Sequence, residues 1–228
     1  MKSLLKTSTA IGLFAVAATA FVATPALAQT DQIKLVNAAE VTLSNFLRDP
    51  DMTWLQNNIG RAKAVLIAPE IAKAGFIVGG SGGRGVLVAH VPRKGRWAGP
   101  AFYTLATASV GFQAGISVSE NITLVMTEKG LNSLLANSVK FGADASVAAG
   151  PVGAGAKSDI VSDLITFSRS KGVYGGLNLD GTVVAPSNDW NDAFYGKSVL
   201  PPDILIRMSV HNKQADKLLA AITRATRK

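Results

Sequence analysis

The stretch AFYTLATASVGFQAGISVS, residues 101–119, alternates in character over an unusual length. Phe102, Thr104, Ala106, Ala108, Val110, Phe112, Ala114, Ile116 and Val118 fall on one side, and Thr107, Ser109, Gly111, Gln113, Gly115 and Ser117 on the other. A period of two belongs to a pleated strand, whose successive side chains point to opposite faces. The pattern predicts a long strand, bent at Gly111 and Gly115, with one apolar face and one face of small polar residues that another element can approach closely. FGADASVAAGPVGAGAKSD resumes the alternation, with Phe141, Ala143, Ala145, Val147 and Ala149 on one side and Asp144 on the small-residue side, where a buried, paired structural carboxylate is expected. NITLVMT adds a strand, and LITFSRSKGVYGGLNLDGTVVAP supplies more, joined near Lys171-Gly172 and at the two-residue hairpin signal Asp180-Gly181.

Helical spacing appears at both ends. Ile33, Val36, Leu43, Phe46 and Leu47 recur as one stripe of an amphipathic helix. DPDMTWLQNNIG follows with Asp49 as cap and Pro50 in the first position, TEKGLNSLLANS is a short helix capped by Thr127, and NKQADKLLAAITRATRK is a cationic C-terminal helix. The fold class is therefore α+β: largely antiparallel sheet, in one layer or as two packed sheets, covered by N- and C-terminal amphipathic helices. The chain divides into residues 1–28, residues 29–60 (N-terminal helical segment), residues 61–210 (β-rich domain) and residues 211–228 (cationic helix).

Residues 1–28 combine Lys2 and Lys6, an apolar run from Ala10 to Val22, and Ala26-Leu27-Ala28 before Gln29. That is the pattern of a secretory signal peptide cleaved after Ala28, and it leads to the expectation of an exported protein of the periplasm or cell envelope with peripheral membrane association. With no cysteine in the chain, neither a disulfide framework nor a lipid-modified N-terminal Cys is available, so stability must come from a packed core.

GGSGGRG, residues 79–85, contains the spacing G-x-G-x-x-G at Gly80, Gly82 and Gly85. A dinucleotide fingerprint needs a helix after the glycines, whereas Val86-Leu87-Val88-Ala89-His90 is a strand, and no Lys-Ser/Thr pair completes a P-loop. The glycines are better read as a tight or bulged hairpin with Arg84 at its tip; a backbone-amide phosphate nest helped by Lys73 and Arg84 is the second reading.

Twenty-three Lys and Arg against fifteen Asp and Glu give a formal charge of +8, which favours anionic lipid or glycan surfaces over nucleic acid for an exported protein. Arg93, Lys94, Arg96 and Trp97 cluster in PRKGRW, where cations beside an interfacial Trp suit a headgroup region. The N-terminal helix either covers a sheet, the reading favoured by its few cations, or lies on a bilayer with Lys34, Arg48, Arg61 and Lys63 as headgroup partners. Asp189 and Asp192 beside Asn188 and Asn191 lack calcium-loop spacing and read as capping residues. His90 and His211 are the only histidines, which excludes a multi-His metal site, and neither sits in a catalytic motif.

AKAVLIAPEIAKAGFIVGGSGGRGVLV (62–88), AFYTLATASVGFQAGIS (101–117), VMTEKGLNSLL (125–135), FGADASVAAGPVGAGAK (141–157) and FSRSKGVYGGLNLDG (167–181) resemble consecutive blocks of the SYLF family of lipid-binding, Las17-binding-type proteins, over roughly Leu43 to Ala185. The N-terminal segment, DPDMTWLQNN and NDWNDAFYGK resemble its exported proteobacterial branch. The resemblance implies binding of phosphoinositide or other anionic phospholipid through an N-terminal amphipathic helix, actin binding in some members, and no catalytic activity. Carried onto this chain, the lipid role falls on Ile33–Arg48 and on Lys63, Lys73 and Arg84. In the envelope setting the implied partner is anionic phospholipid, or failing that an envelope protein, with no nucleotide, nucleic acid or cofactor.

Overall fold

The computed structural model describes residues 29–75, 78–110, 115–153, 160–170, 173–174 and 181–227. The signal-peptide pattern of residues 1–28, the Lys171-Gly172 junction and Asp180 lie outside them.

Among the described residues nine strands form a single sheet: β1 (Ala64–Gly75), β2 (Val78–Val91), β3 (Arg96–Val110), β4 (Gly115–Val125), β5 (Val139–Lys140), β6 (Val147–Ala149), β7 (Leu164–Ser170), β8 (Val173–Tyr174) and β9 (Val183–Pro186). Their order is β5-β9-β3-β2-β1-β4-β7-β6, with β8 on β7, and every pairing is antiparallel except β6 with β7. Of the two arrangements left open, one layer or two packed sheets, the described strands form one layer, and helices cover it as the periodicity indicates.

The long alternating stretch is two strands. β3 ends at Val110, β4 begins at Gly115, and the two flank the β2–β1 pair. Alternation reports which face a side chain takes, and that parity survives the reversal: Phe102 of β3 and Ile122 and Leu124 of β4 all enter the same core. The opposite face is not merely small and polar, because Tyr103 and Leu105 are buried in a second core on that side. There the Tyr103 hydroxyl donates to the Leu134 carbonyl oxygen at 2.7 Å, and burial pushes its pKa well above the usual phenol range.

The first core is closed by α1 (Thr30–Arg48), α2 (Thr53–Asn58), α4 (Asn188–Tyr195) and α5 (Asp216–Ala225). Val36, Ala39, Leu43 and Phe46 form the inward stripe of α1, while Leu218, Ala221 and Ile222 do the same for α5. At the end of α1, Asp49 caps the turn Pro50–Met52 through Asp51 N at 3.0 Å. Thr42 Oγ1 donates to Glu120 Oε1 at 3.1 Å, and Glu120 pairs with Arg169, which lies 5.4 Å over the Phe46 ring. The second core is closed by α3 (Glu128–Leu135) and by a π-helical segment, Asp203–Arg207.

Two local expectations change. The GGSGGRG stretch is the first half of strand β2 rather than a hairpin tip: Gly83 pairs with Ile71 and Leu105, and Arg84 with Glu70 and Thr104. A bulge in β1 between Ile67 and Glu70 presses the strands together, so that a methyl group on Gly83 would lie 2.2 Å from the Glu70 carbonyl oxygen. Phe141 and Ala145 bridge across a turn with Gly142 at φ +83, which places Asp144 in an exposed turn, accepting from Lys140 N at 2.7 Å, instead of in a buried strand.

Asp163, nearly buried, ties α3, β6 and β7 together. It accepts from Thr127 Oγ1 at 2.6 Å, Ser146 Oγ at 2.9 Å and Ser146 N at 3.0 Å, with Lys129 Nζ 3.4 Å away. The Thr127 hydroxyl foremost, then the Ser146 donors, hold its pKa at about 2. Because the folded pKa lies below the ordinary carboxylate value, this stabilisation is complete above about pH 4 and is lost as pH falls toward 2.

Asp163→Asn is expected to lower stability at pH 7 by roughly 1–3 kcal/mol. In urea unfolding followed over pH, the gap from the parent chain should narrow between pH 4 and pH 2. For the glycines, Gly83→Ala should cost roughly 1–3 kcal/mol through the forced shift of β1. Gly82→Ala, whose added carbon meets only the Leu105 carbonyl oxygen at 3.5 Å, should stay within about 0.5 kcal/mol by the same measurement.

Candidate functional site

The cations singled out from the sequence fall into two sets. The first gathers where β2 turns into β3. Pro92–Lys94 form one 3-10 turn, Gly95 follows in the left-handed region at φ +59, and Arg93, Lys94 and Arg96 are exposed around it. Lys94 Nζ donates to the Arg207 carbonyl oxygen at 3.3 Å, which brings the end of the π-helical segment to the same turn. Trp97 points the other way. It is 6% exposed, stacks near His90 with centroids 5.5 Å apart, and donates from Nε1 to Thr226 Oγ1 at 3.2 Å. The reading of Trp97 as an interfacial aromatic is thereby corrected: as the first inward position of β3 it closes the core beneath the turn.

Thr226 also sets the neighbourhood of Arg61, because a methyl group on Gly60 would lie 3.3 Å from the Thr226 carbonyl oxygen. Arg61 is exposed and donates to Asn58 Oδ1 at 3.0 Å. Lys63, at the foot of β1, accepts from His90 N at its carbonyl and forms a 3.3 Å ion pair with Glu128. Arg61, Lys63, Arg93, Lys94 and Arg96 therefore share one end of the sheet. Arg48, at the end of α1, lines an adjoining shallow cleft with Arg224 of α5. A second cleft of about 340 Å3 at this end is lined by Arg96, Trp97, Met208, His211 and Leu219, with His211 Nε2 3.3 Å from Asp216.

The second set lies away from that end. Lys34 is exposed on α1 and paired with Asp31 at 3.1 Å. Arg84 stacks 4.3 Å over the Trp190 ring. Both border a groove of about 820 Å3 between α1 and the glycine-bearing half of the sheet, floored by Ala72, Gly82 and Ala106 and shared with the acids Glu70 and Glu120. Lys73 pairs in register with Ser81, one residue out of phase with Gly82 and Arg84, so it projects from the opposite face. A phosphate nest built jointly by Lys73 and Arg84 is not assembled.

Among the described residues no group of His, Cys, Asp or Glu could hold a metal ion, and no helix is long and apolar enough to cross a membrane. Asp192 Oδ1 accepts from Val199 N at 2.8 Å, holding the loop that follows the helix, and Asn191 Oδ1 accepts from Phe102 N at 2.8 Å, tying the helix to β3; neither of these bonds is a helix cap. The contribution of residues 206–208 was not visible in the sequence, since only the fold brings Arg207 to Lys94.

Residues 106–225 of the chain match a family model described as Ysc84, Las17-binding protein actin regulator. The human SH3 domain-containing YSC84-like protein 1 is 27% identical over 194 residues, 83% of this chain and 55% of its own length. Protein YSC84 of Saccharomyces cerevisiae is 30% identical over 166 residues, covering 70% of this chain and 35% of the yeast protein. LAS seventeen-binding protein 3 of the same yeast is 31% identical over 152 residues, 64% of this chain and 33% of its own. The chain belongs to the SYLF or Ysc84 family and is a non-enzymatic protein. It spans about half the length of the human relative.

These relatives are vertebrate and yeast proteins, and the family description is that of an actin regulator. That finding overturns the placement in an exported proteobacterial branch, and with it the expected secreted, periplasmic or cell-envelope location.

The assignment of Trp97 to the core has a direct check. Trp97→Ala should cost roughly 3–5 kcal/mol in urea unfolding, whereas alanine at Arg93, Lys94 or Arg96 should change stability by no more than about 0.5 kcal/mol each.

Proposed function

We propose that this domain attaches reversibly to anionic phospholipid surfaces through the basic end of its sheet. The observation that carries the reading is the convergence of exposed Arg93, Lys94 and Arg96 with Arg61 and Lys63 around the Trp97–Thr226 contact. Each Lys or Arg brought near an anionic leaflet contributes about 1 kcal/mol, so a handful suffices for reversible binding without a deep pocket. The attraction is screened over a Debye length of about 10 Å and weakens as salt rises. The resemblance of the sequence blocks to the lipid-binding SYLF family supports the same reading.

The route differs from the one the N-terminal helix suggested. The apolar stripe of α1 is occupied by the sheet, and its cation Lys34 is already paired with Asp31. Arg48 remains as a flanking cation beside Arg224. The fixed surface offered to a bilayer is therefore the β2–β3 turn and its neighbours, carried on a rigid sheet end.

In co-sedimentation with vesicles of neutral phosphatidylcholine, with and without phosphatidylglycerol, the chain should bind only the anionic vesicles and release in high salt. The triple change Arg93→Glu, Lys94→Glu, Arg96→Glu should weaken binding at least about a hundredfold, taking about 1 kcal/mol per cation lost. Replacing Lys34 and Arg84 should leave it within a factor of about three. Binding that ignores salt, or that follows Lys34 and Arg84 instead, would refute this surface.

A further inference from the structure

The end of the π-helical segment combines features that the charged turn alone does not explain. Ile204 and Leu205 anchor the segment in the second core, but the next side chain, Ile206, is 42% exposed. Arg207 follows, also exposed, paired with Asp203 of the same segment. Met208 then takes the left-handed conformation, φ 55 and ψ 43, the one non-glycine residue at positive φ among the described residues. A methionine gains nothing locally from that conformation, which ordinarily belongs to glycine or asparagine. It is held by its surroundings: the backbone N–H groups of Met208 and Ser209 and the Ser209 hydroxyl all donate to the Asp203 carbonyl oxygen. The backbone therefore reverses sharply at a corner whose outermost side chains are Ile206 and Arg207, with Met208 turned into the cleft beside Arg96.

The corner is fastened to the basic turn by Lys94 Nζ on the Arg207 carbonyl oxygen. An exposed branched apolar side chain thus sits one residue before the carbonyl that Lys94 holds, on the corner that lines a cleft with Arg96, and the carboxylate of the segment, Asp203, is held by the Leu200 N–H and by Arg207. The Leu200 N–H, with Arg207, also keeps the Asp203 pKa below the ordinary carboxylate value. Charge complementarity selects the occupant. A cationic neighbourhood excludes a basic partner and draws the corner to an anionic leaflet, where an apolar tip gains by leaving water.

Resting on the lipid reading above, we infer that the corner Ile206–Met208 is an apolar wedge that enters the acyl boundary of an anionic bilayer while Arg93, Lys94, Arg96 and Arg207 engage the headgroups. Electrostatics then governs approach and the wedge governs retention. Removing the apolar tip should speed release and weaken partitioning roughly tenfold, with the salt dependence preserved.

The absence of cysteine makes a direct test available. Ile206→Cys, labelled with an environment-sensitive fluorophore, is mixed with phosphatidylglycerol vesicles containing lipids brominated along the acyl chain. Val41→Cys on α1, an apolar side chain of comparable exposure, serves as the comparison. The expected result is a blue shift and quenching at position 206, little change at position 41, and roughly tenfold weaker binding by Ile206→Ser at unchanged salt slope. If the parent chain binds the vesicles but the label at 206 neither shifts nor is quenched, and Ile206→Ser binds as the parent does, the wedge is wrong and the basic-end reading stands. A response at 41 without one at 206 also overturns the wedge, in favour of α1. If the parent chain fails to bind anionic vesicles at any salt, both proposals fall together.

Discussion

The burial of the Val36–Phe46 stripe against the sheet is the interaction on which the remaining architecture rests. It closes one core, positions α5 beside α1, and draws the Arg169–Glu120 pair over the Phe46 ring. Moving Val36, Leu43 and Phe46 back into water would cost on the order of 5–9 kcal/mol, a large share of the stability of an ordinary domain. A mode of membrane binding that lifts α1 away and lays its apolar face on lipid must first recover that amount. A mode that uses the sheet's end leaves the core intact. The energetic asymmetry, rather than any count of cations, is what shifts attention from the helix to the β2–β3 turn.

Much of this was legible in the sequence because burial imposes periodicity. The stripe of α1, the Thr127 cap and the exposure of Arg93, Lys94 and Arg96 follow from local pattern, and the structure agrees: Thr127 accepts from Gly130 N at 3.0 Å. What local pattern could not convey was pairing over distance. Residues 101–119 alternate without a break because β3 and β4 keep one parity on either side of the β2–β1 pair, so the signal for which face a residue takes was mistaken for continuity of one strand. The glycines of β2 suggested a turn because glycine is commonest there. For Gly83 the reason is instead the bulge in β1, which brings the Glu70 carbonyl to where a side chain would stand. Trp97 shows the same limit at the site, since alternation within β3 turns it inward while both its basic neighbours in sequence and its apolar neighbours in space could have claimed it.

The basic residues also differ in physical origin, and not along the division between the two ends of the sheet. Arg48, Arg61 and Arg224 each occupy the last turn of a helix, where the partial negative charge of unsatisfied carbonyl groups favours a cation whatever the protein binds. Lys34, Lys63 and Arg207 have carboxylate partners, and Arg84 has an aromatic one. For most of the basic residues, then, the fold itself supplies a sufficient reason.

Arg93 and Arg96 are different. They flank a glycine turn that any polar residues could form, beyond the reach of a long helix dipole, and among the described residues neither has an ion pair with a carboxylate. Concentrating positive charge there opposes folding slightly through mutual repulsion, and the neighbouring Lys94 donates to the Arg207 carbonyl oxygen rather than to a carboxylate. Exposed cations without carboxylate partners are free to meet an anionic surface, and the exposed apolar side chain of Ile206 stands one residue before the carbonyl that Lys94 holds. The same surface therefore presents the long-range attraction and the short-range contact that an anionic lipid interface can answer together.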